Sequence, residues 1–235
     1  MALPDGAEAA LRRERYEDVR DYLQRHSGLP GPRSNLELLA RAGQALSPAH
    51  ADRLRREDSE YLRCCGVIRL GHEYLDAPSD DARDAIVGLL TRFAADASWR
   101  VREAVAMAGQ TIGDHDATAL KHLVRAWIND TEPLVVRAGI ATICEPRLLR
   151  GAGMAAFAVG ACRTATDQLL ALDPKERARA DARTLRQALG YCWSVAIAAD
   201  PTGLPAFTAL GGDPDVEWIV RENRRKARLK KLLDS

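Results

Sequence analysis

The chain has 235 residues, with 34 Lys+Arg against 33 Asp+Glu, 46% apolar residues and 5% aromatics. That is enough apolar mass for a sizeable core, and it excludes general disorder. A formal net charge of +1 excludes a surface built wholly for polyanions, so any nucleic-acid contact must be regional. The longest charge-free stretch, about Gly151 to Cys162, is shorter than the roughly 20 apolar residues a membrane helix needs. Met1 to Glu14 carries charges where a signal peptide needs an apolar core. A cytoplasmic protein without membrane contact is expected. Cys64, Cys65, Cys144, Cys162 and Cys192 are odd in number and form no C-x-x-C pair, which suits reduced thiols packed as small apolar residues.

In chain order, an N-terminal helix is predicted over Ala7 to Arg25, closed by the break Gly28-Leu-Pro-Gly-Pro32. Residues 1–32 then form a capping helix and connector, and residues 33–235 a repeat domain. In the loop Leu29 to Asn35, Arg33 stands beside a helix start whose N–H groups can hold an anion. The plainer reading is a stiff linker in which Ser34 or Asn35 caps the next helix.

Beyond it, apolar residues recur at helical spacing, as in Ile86, Leu89, Leu90 and Phe93, or Leu120, Leu123, Val124 and Trp127. No segment reads as a strand. Breakers such as Ala77-Pro78, Gly113-Asp114, Asp173-Pro174, Asp200-Pro201 and Asp213-Pro214 separate the runs. Several offer Asp or Ser as N-cap with Pro near the first helical position. About a dozen helices joined by short turns are predicted.

The runs repeat. Asp96-Ala-Ser-Trp-Arg-Val-Arg102 and Asp215-Val-Glu-Trp-Ile-Val-Arg221 share Asp, Trp, Val and Arg, and Asp130 to Arg137 is the same pattern with one extra residue. Asp58 to Arg63 and Asp181 to Arg186 are weaker echoes. The marker arginines Arg63, Arg102, Arg137, Arg186 and Arg221 are 39, 35, 49 and 35 residues apart, which are helix-hairpin periods. An Asp at each turn caps the second helix, and the following Arg is placed to bridge to an Asp of a neighbouring repeat.

This D-x-x-x-x-V-R pattern with helical flanks resembles HEAT repeats. The resemblance implies an all-α, right-handed α-solenoid of about five hairpins: Arg33 to Asp76, Ser79 to Gly113, Asp114 to Pro146, Arg147 to Ala199 and Pro201 to Ser235. It also implies a concave face lined by the second helices.

On that face Arg102, Arg137, Arg186 and Arg221 are candidate binding residues where the ladder leaves them free. A C-terminal helix extends them. It carries Arg221, Arg224, Arg225, Lys226, Arg228, Lys230 and Lys231 against Glu222 alone, with Val216, Ile219, Val220 and Ala227 on its packing side. Ala188 to Ala199, where Gly190 and Ser194 allow a close helix approach beside Tyr191 and Trp193, reads as buried core.

Trp127-Ile-Asn-Asp130 resembles part of the site of HEAT-like alkylpurine DNA glycosylases, in which tryptophans and an Asp on the concave face meet a damaged nucleotide. The spacing is one residue shorter here, and Asp130 is already a turn residue. Asp114, His115, Asp116 and His122 are possible metal ligands, although the two aspartates read better as N-caps. No P-loop, G-x-S-x-G or dinucleotide fingerprint occurs. No catalytic residue, metal or cofactor is nominated. The function expected is a non-catalytic binding or scaffold module for a protein or peptide partner. The alternative is DNA binding or repair through Trp127 and the basic C-terminal helix.

Overall fold

The computed structural model describes residues 3–31 and 33–233. Its helices are, in order, α1 (Ala7–Leu11), α2 (Tyr16–Arg25), α3 (Leu36–Ala45), α4 (Pro48–Leu54), α5 (Glu60–Leu75), α6 (Asp80–Ala94), α7 (Trp99–His115), α8 (Ala117–Ile128), α9 (Pro133–Ile143), α10 (Met154–Ala171), α11 (Pro174–Arg177), α12 (Ala180–Ala199), α13 (Leu204–Thr208), α14 (Pro214–Arg224) and α15 (Ala227–Leu233). Among the described residues there is no strand, and no helix is long and apolar enough to cross a membrane. The fold is all-α and of the helical-repeat type.

Local chemistry accounts for many of these starts. The side chains of Asn35, Ser47, Ser79, Asp116, Asp173 and Asp213 accept N–H bonds at the entries of α3, α4, α6, α8, α11 and α14. Pro48, Pro174 and Pro214 stand at the first helical position, where a missing N–H costs nothing. Two expected helices are broken. The N-terminal one divides into α1 and α2 at Arg12-Arg13-Glu14-Arg15, a fully charged and exposed turn with nothing to pack. The C-terminal one divides at Arg225-Lys226, which leaves Ala227 exposed and turns Leu229 inward instead.

The chain forms two compact units, one up to Ile112 and one from Gly113 onward. In the first, α5 packs against α2, α3, α4 and α6. It also meets α7 so closely that a Cβ on Gly71 would lie 2.5 Å from the Ala108 carbonyl oxygen, so only glycine fits. In the second unit, α9 packs on α12 and α12 on α14, while α8 packs on α10 beside that row. Successive hairpins therefore stack in two rows, the manner of a helical solenoid. The stripe Leu120, Leu123, Val124, Trp127 and Ile128 of α8 is entirely buried, as its spacing predicts. The core it joins includes Ile140, Cys162, Leu185, Trp193 and Phe207.

Candidate binding cleft

In the first unit the connector is pinned at both ends by buried polar groups. Asn35 is 2% exposed. Its side-chain oxygen accepts from the Leu38 N–H at 3.1 Å, its own N–H donates to the Ser27 carbonyl at 2.8 Å, and its carbonyl accepts from the Tyr61 hydroxyl at 2.9 Å. At the other end the buried Ser27 hydroxyl accepts from the Leu29 N–H at 3.1 Å. Ser27 and Asn35 thereby hold the two ends of the connector together, and Asn35 is the residue that caps α3.

Between connector, α3, α5 and α7 lies a cleft of about 990 Å³. Leu36, Leu39, Tyr61, Cys64, Trp99, Ala104 and Met107 form its apolar lining, and Arg33, Glu37, Arg100 and Glu103 its polar border. Leu36 is 59% and Trp99 55% exposed, the two most exposed large apolar side chains among the described residues. Covering both removes apolar area worth about 1–1.5 kcal/mol per side chain, roughly half the value for a fully exposed one.

The Trp99 edge is held in place by α5. Glu60 accepts from the Ser98 hydroxyl at 2.6 Å and from Arg100 at 2.9 Å, and the Arg100 guanidinium lies 4.6 Å from the Trp99 ring centroid. Behind the connector a second recess of about 380 Å³ shares Arg100 and is lined by Leu29, Pro30 and Glu60. Within the cleft, burial pushes the Cys64 thiol up to about 12. It stays protonated and serves as apolar lining. Burial also raises the Cys65 thiol well above its ordinary value.

Trp218 occupies the same repeat position as Trp99 but is half-buried. Its ring lies over Gly190 of α12, where a Cβ would come within 2.8 Å of it. Counting four residues on from the marker arginines Arg186 and Arg63, α5 has Val67 where α12 has this glycine. The first unit thus has a buried valine at the register position where the second has a glycine under its tryptophan, and Trp99 is the more exposed of the two rings.

The marker arginines do different work. Arg102 donates to the Asp96 and Ala97 carbonyls at 2.6 and 3.0 Å, and Arg63 donates to the Glu57 and Asp58 carbonyls at 3.0 and 2.9 Å. Each ties down the turn that precedes it. Arg63 also lies 3.6 Å from Asp96 of the next turn, and Arg186 donates to Asp215 of the next turn at 2.5 Å while its guanidinium stands 4.7 Å from the Trp218 centroid. These are ladder contacts. In the last repeat the cap is Asp213, two residues before the expected Asp215, whose carboxylate is engaged by Arg186. Arg137 is half-buried, whereas Arg221, Arg224, Arg225 and Arg228 are exposed.

Trp127 is 1% exposed, so the side chain compared with a glycosylase tryptophan belongs to the core and cannot stack on a nucleotide. Asp130 is a turn residue that accepts from the Glu132 N–H at 2.8 Å. Asp114 pairs with Arg147 at 2.9 Å, Asp116 caps α8, and no group of three or more potential ligands able to hold a metal occurs among the described residues. Tyr191, expected in the core, is 43% exposed.

Sequence reasoning did not find the cleft. For Trp218 the one sequence signal was Gly190, over which its ring lies.

No family model matches the chain, and no match to a curated protein is found. Among solved structures it is similar to the designed armadillo repeat protein YIII(Dq)4CqI, at 14% identity and a TM-score of 0.40 over 92% of this chain and 96% of that one. It is also similar to the designed armadillo repeat protein YIII(Dq.V1)4CPAF in complex with the peptide (KR)4, at 12% identity and a TM-score of 0.39 over 92% and 96% of the two chains. A third is an engineered protein of the Northeast Structural Genomics Consortium, at 14% identity and a TM-score of 0.40 over 99% and 100%. The fold assignment rests on how this chain's own helices pack.

Proposed function

We propose that this chain is a non-catalytic binding module of HEAT-like hairpins. Its cleft takes a short segment of a partner protein, anchored by a bulky apolar side chain. The observation that carries the reading is the placing of Leu36 and Trp99, the two most exposed large apolar side chains among the described residues, in the lining of one cleft. Apolar side chains clustered at a cleft are a common mark of an interaction site, and aromatics at preformed pockets are where binding energy concentrates. Arg33 and Glu37 at the border supply one charge of each sign, which suits a peptide of mixed charge better than a polyanion.

The test is peptide-display selection on the immobilised full chain. Leu36→Asp and Trp99→Ala serve as counter-targets, since both side chains are more than half exposed and both variants are expected to fold. The reading expects enriched peptides to share a large apolar residue and to bind each variant roughly tenfold or more weakly, about 1.4 kcal/mol. Selected peptides that bind both variants as tightly as the parent would refute it.

A further inference from the structure

A second surface lies in the other unit. Over residues 221–231 seven cations face Glu222 alone, and only Arg225 is paired with it, at 2.7 Å. Arg221, Arg224, Lys230 and Lys231 are exposed and meet no carboxylate among the described residues. Tyr191 of α12, 43% exposed, meets two further cations of this segment. Arg228 donates to its hydroxyl oxygen at 3.1 Å with the guanidinium 4.8 Å from the ring centroid, and the Lys226 ammonium is 5.9 Å from that centroid. The phenol proton and the remaining guanidinium N–H groups are then free to donate to one oxyanion.

The repeats themselves indicate which anion belongs here. Arg63 meets Asp96 of the following turn, and Arg186 meets Asp215. In both cases the aspartate stands three residues before the repeat tryptophan, Trp99 or Trp218. Arg221 is the marker arginine that follows Arg186 in the chain. No aspartate among the described residues answers it. In both observed rungs the partner of the arginine is a side-chain carboxylate on a peptide backbone, which favours that group here over a phosphodiester.

We propose that α14, α15 and Tyr191 form a docking surface for an Asp/Glu-rich segment of a partner protein. Arg221 takes a carboxylate as Arg186 takes Asp215, and the Tyr191–Arg228 pair takes a second. The surface is separate from the cleft, which lies in the first unit, and the proposal holds whether or not the cleft binds a peptide.

The probe is a fluorescein-labelled dodecapeptide of Asp and Glu, titrated by anisotropy against the full chain over a salt series. A Gly/Ser dodecapeptide and an oligothymidine of equal charge serve as comparators. Expected are saturable binding of the acidic peptide that weakens with salt, no binding of the Gly/Ser peptide, and weaker binding of the oligonucleotide. Arg221→Glu and Arg228→Glu should each weaken it about tenfold, and Arg221→Lys less than Arg221→Glu, with unchanged circular dichroism. Trp99→Ala should leave the affinity unaltered. No binding at low salt, tighter binding of the oligonucleotide, or indifference to Arg221→Glu would each overturn the proposal.

Discussion

Asn223 has no exposure, yet its side chain makes three hydrogen bonds. Its amide donates to the Leu189 and Ile219 carbonyls at 2.8 Å each, and its oxygen accepts from the Ser194 N–H at 2.8 Å. One side chain thus stitches α14 into the backbone of α12 next to Gly190, where Trp218 also approaches. Asn223→Ala would leave buried backbone groups unsatisfied, at a cost of about 1–3 kcal/mol. Urea unfolding should detect it as a lower midpoint with an unchanged slope. Nothing in the sequence singled out this asparagine, because it stands among charged residues and its burial depends on where α12 lies. Trp127 and Tyr191 show the same limit from opposite sides. Helical spacing identified the core stripe that holds Trp127 but could not exclude the residue from a surface. A small-residue motif at Gly190 and Ser194 suggested burial for Tyr191, which lies on the other side of α12.

At the scale of elements, short-range signals were the most legible. The N-caps at Asn35, Asp116 and Asp173 follow from side-chain chemistry within three residues. The ladder was legible in kind but not in register, since Asp213 caps α14 and Asp215 takes the rung. That junction makes a pH-dependent prediction. Burial acts to raise the Asp213 carboxyl, but hydrogen bonds from Arg177, at 2.6 Å, and from the Asp215 N–H outweigh it and leave the group below the ordinary carboxylate range. The folded chain therefore holds this proton less firmly than the unfolded chain. Its contribution to stability is present above the ordinary Asp value, near about 3.9, and is lost as pH falls through the lower folded value. Asp213→Asn should be less stable than the parent at neutral pH, and the gap should narrow only as pH falls below the ordinary Asp value and on through the lower folded one. Denaturant titrations at several pH values check this, and a constant gap would count against the bond.

At the scale of the whole molecule, the all-α repeat character was legible because one pattern recurs along the chain. The cleft was not, because it brings together residues as far apart as Gly28 and Met107 and depends on which tryptophan a neighbouring helix covers. Each unit carries one surface with a distinct chemistry, an apolar cleft in the first and a cationic edge beside Tyr191 in the second. The most direct measurement of the central claim is hydrogen exchange on the full chain with and without a display-selected peptide. The account predicts slowed exchange in two segments, residues 34–39 and 99–107. Protection elsewhere with these two unchanged would contradict it.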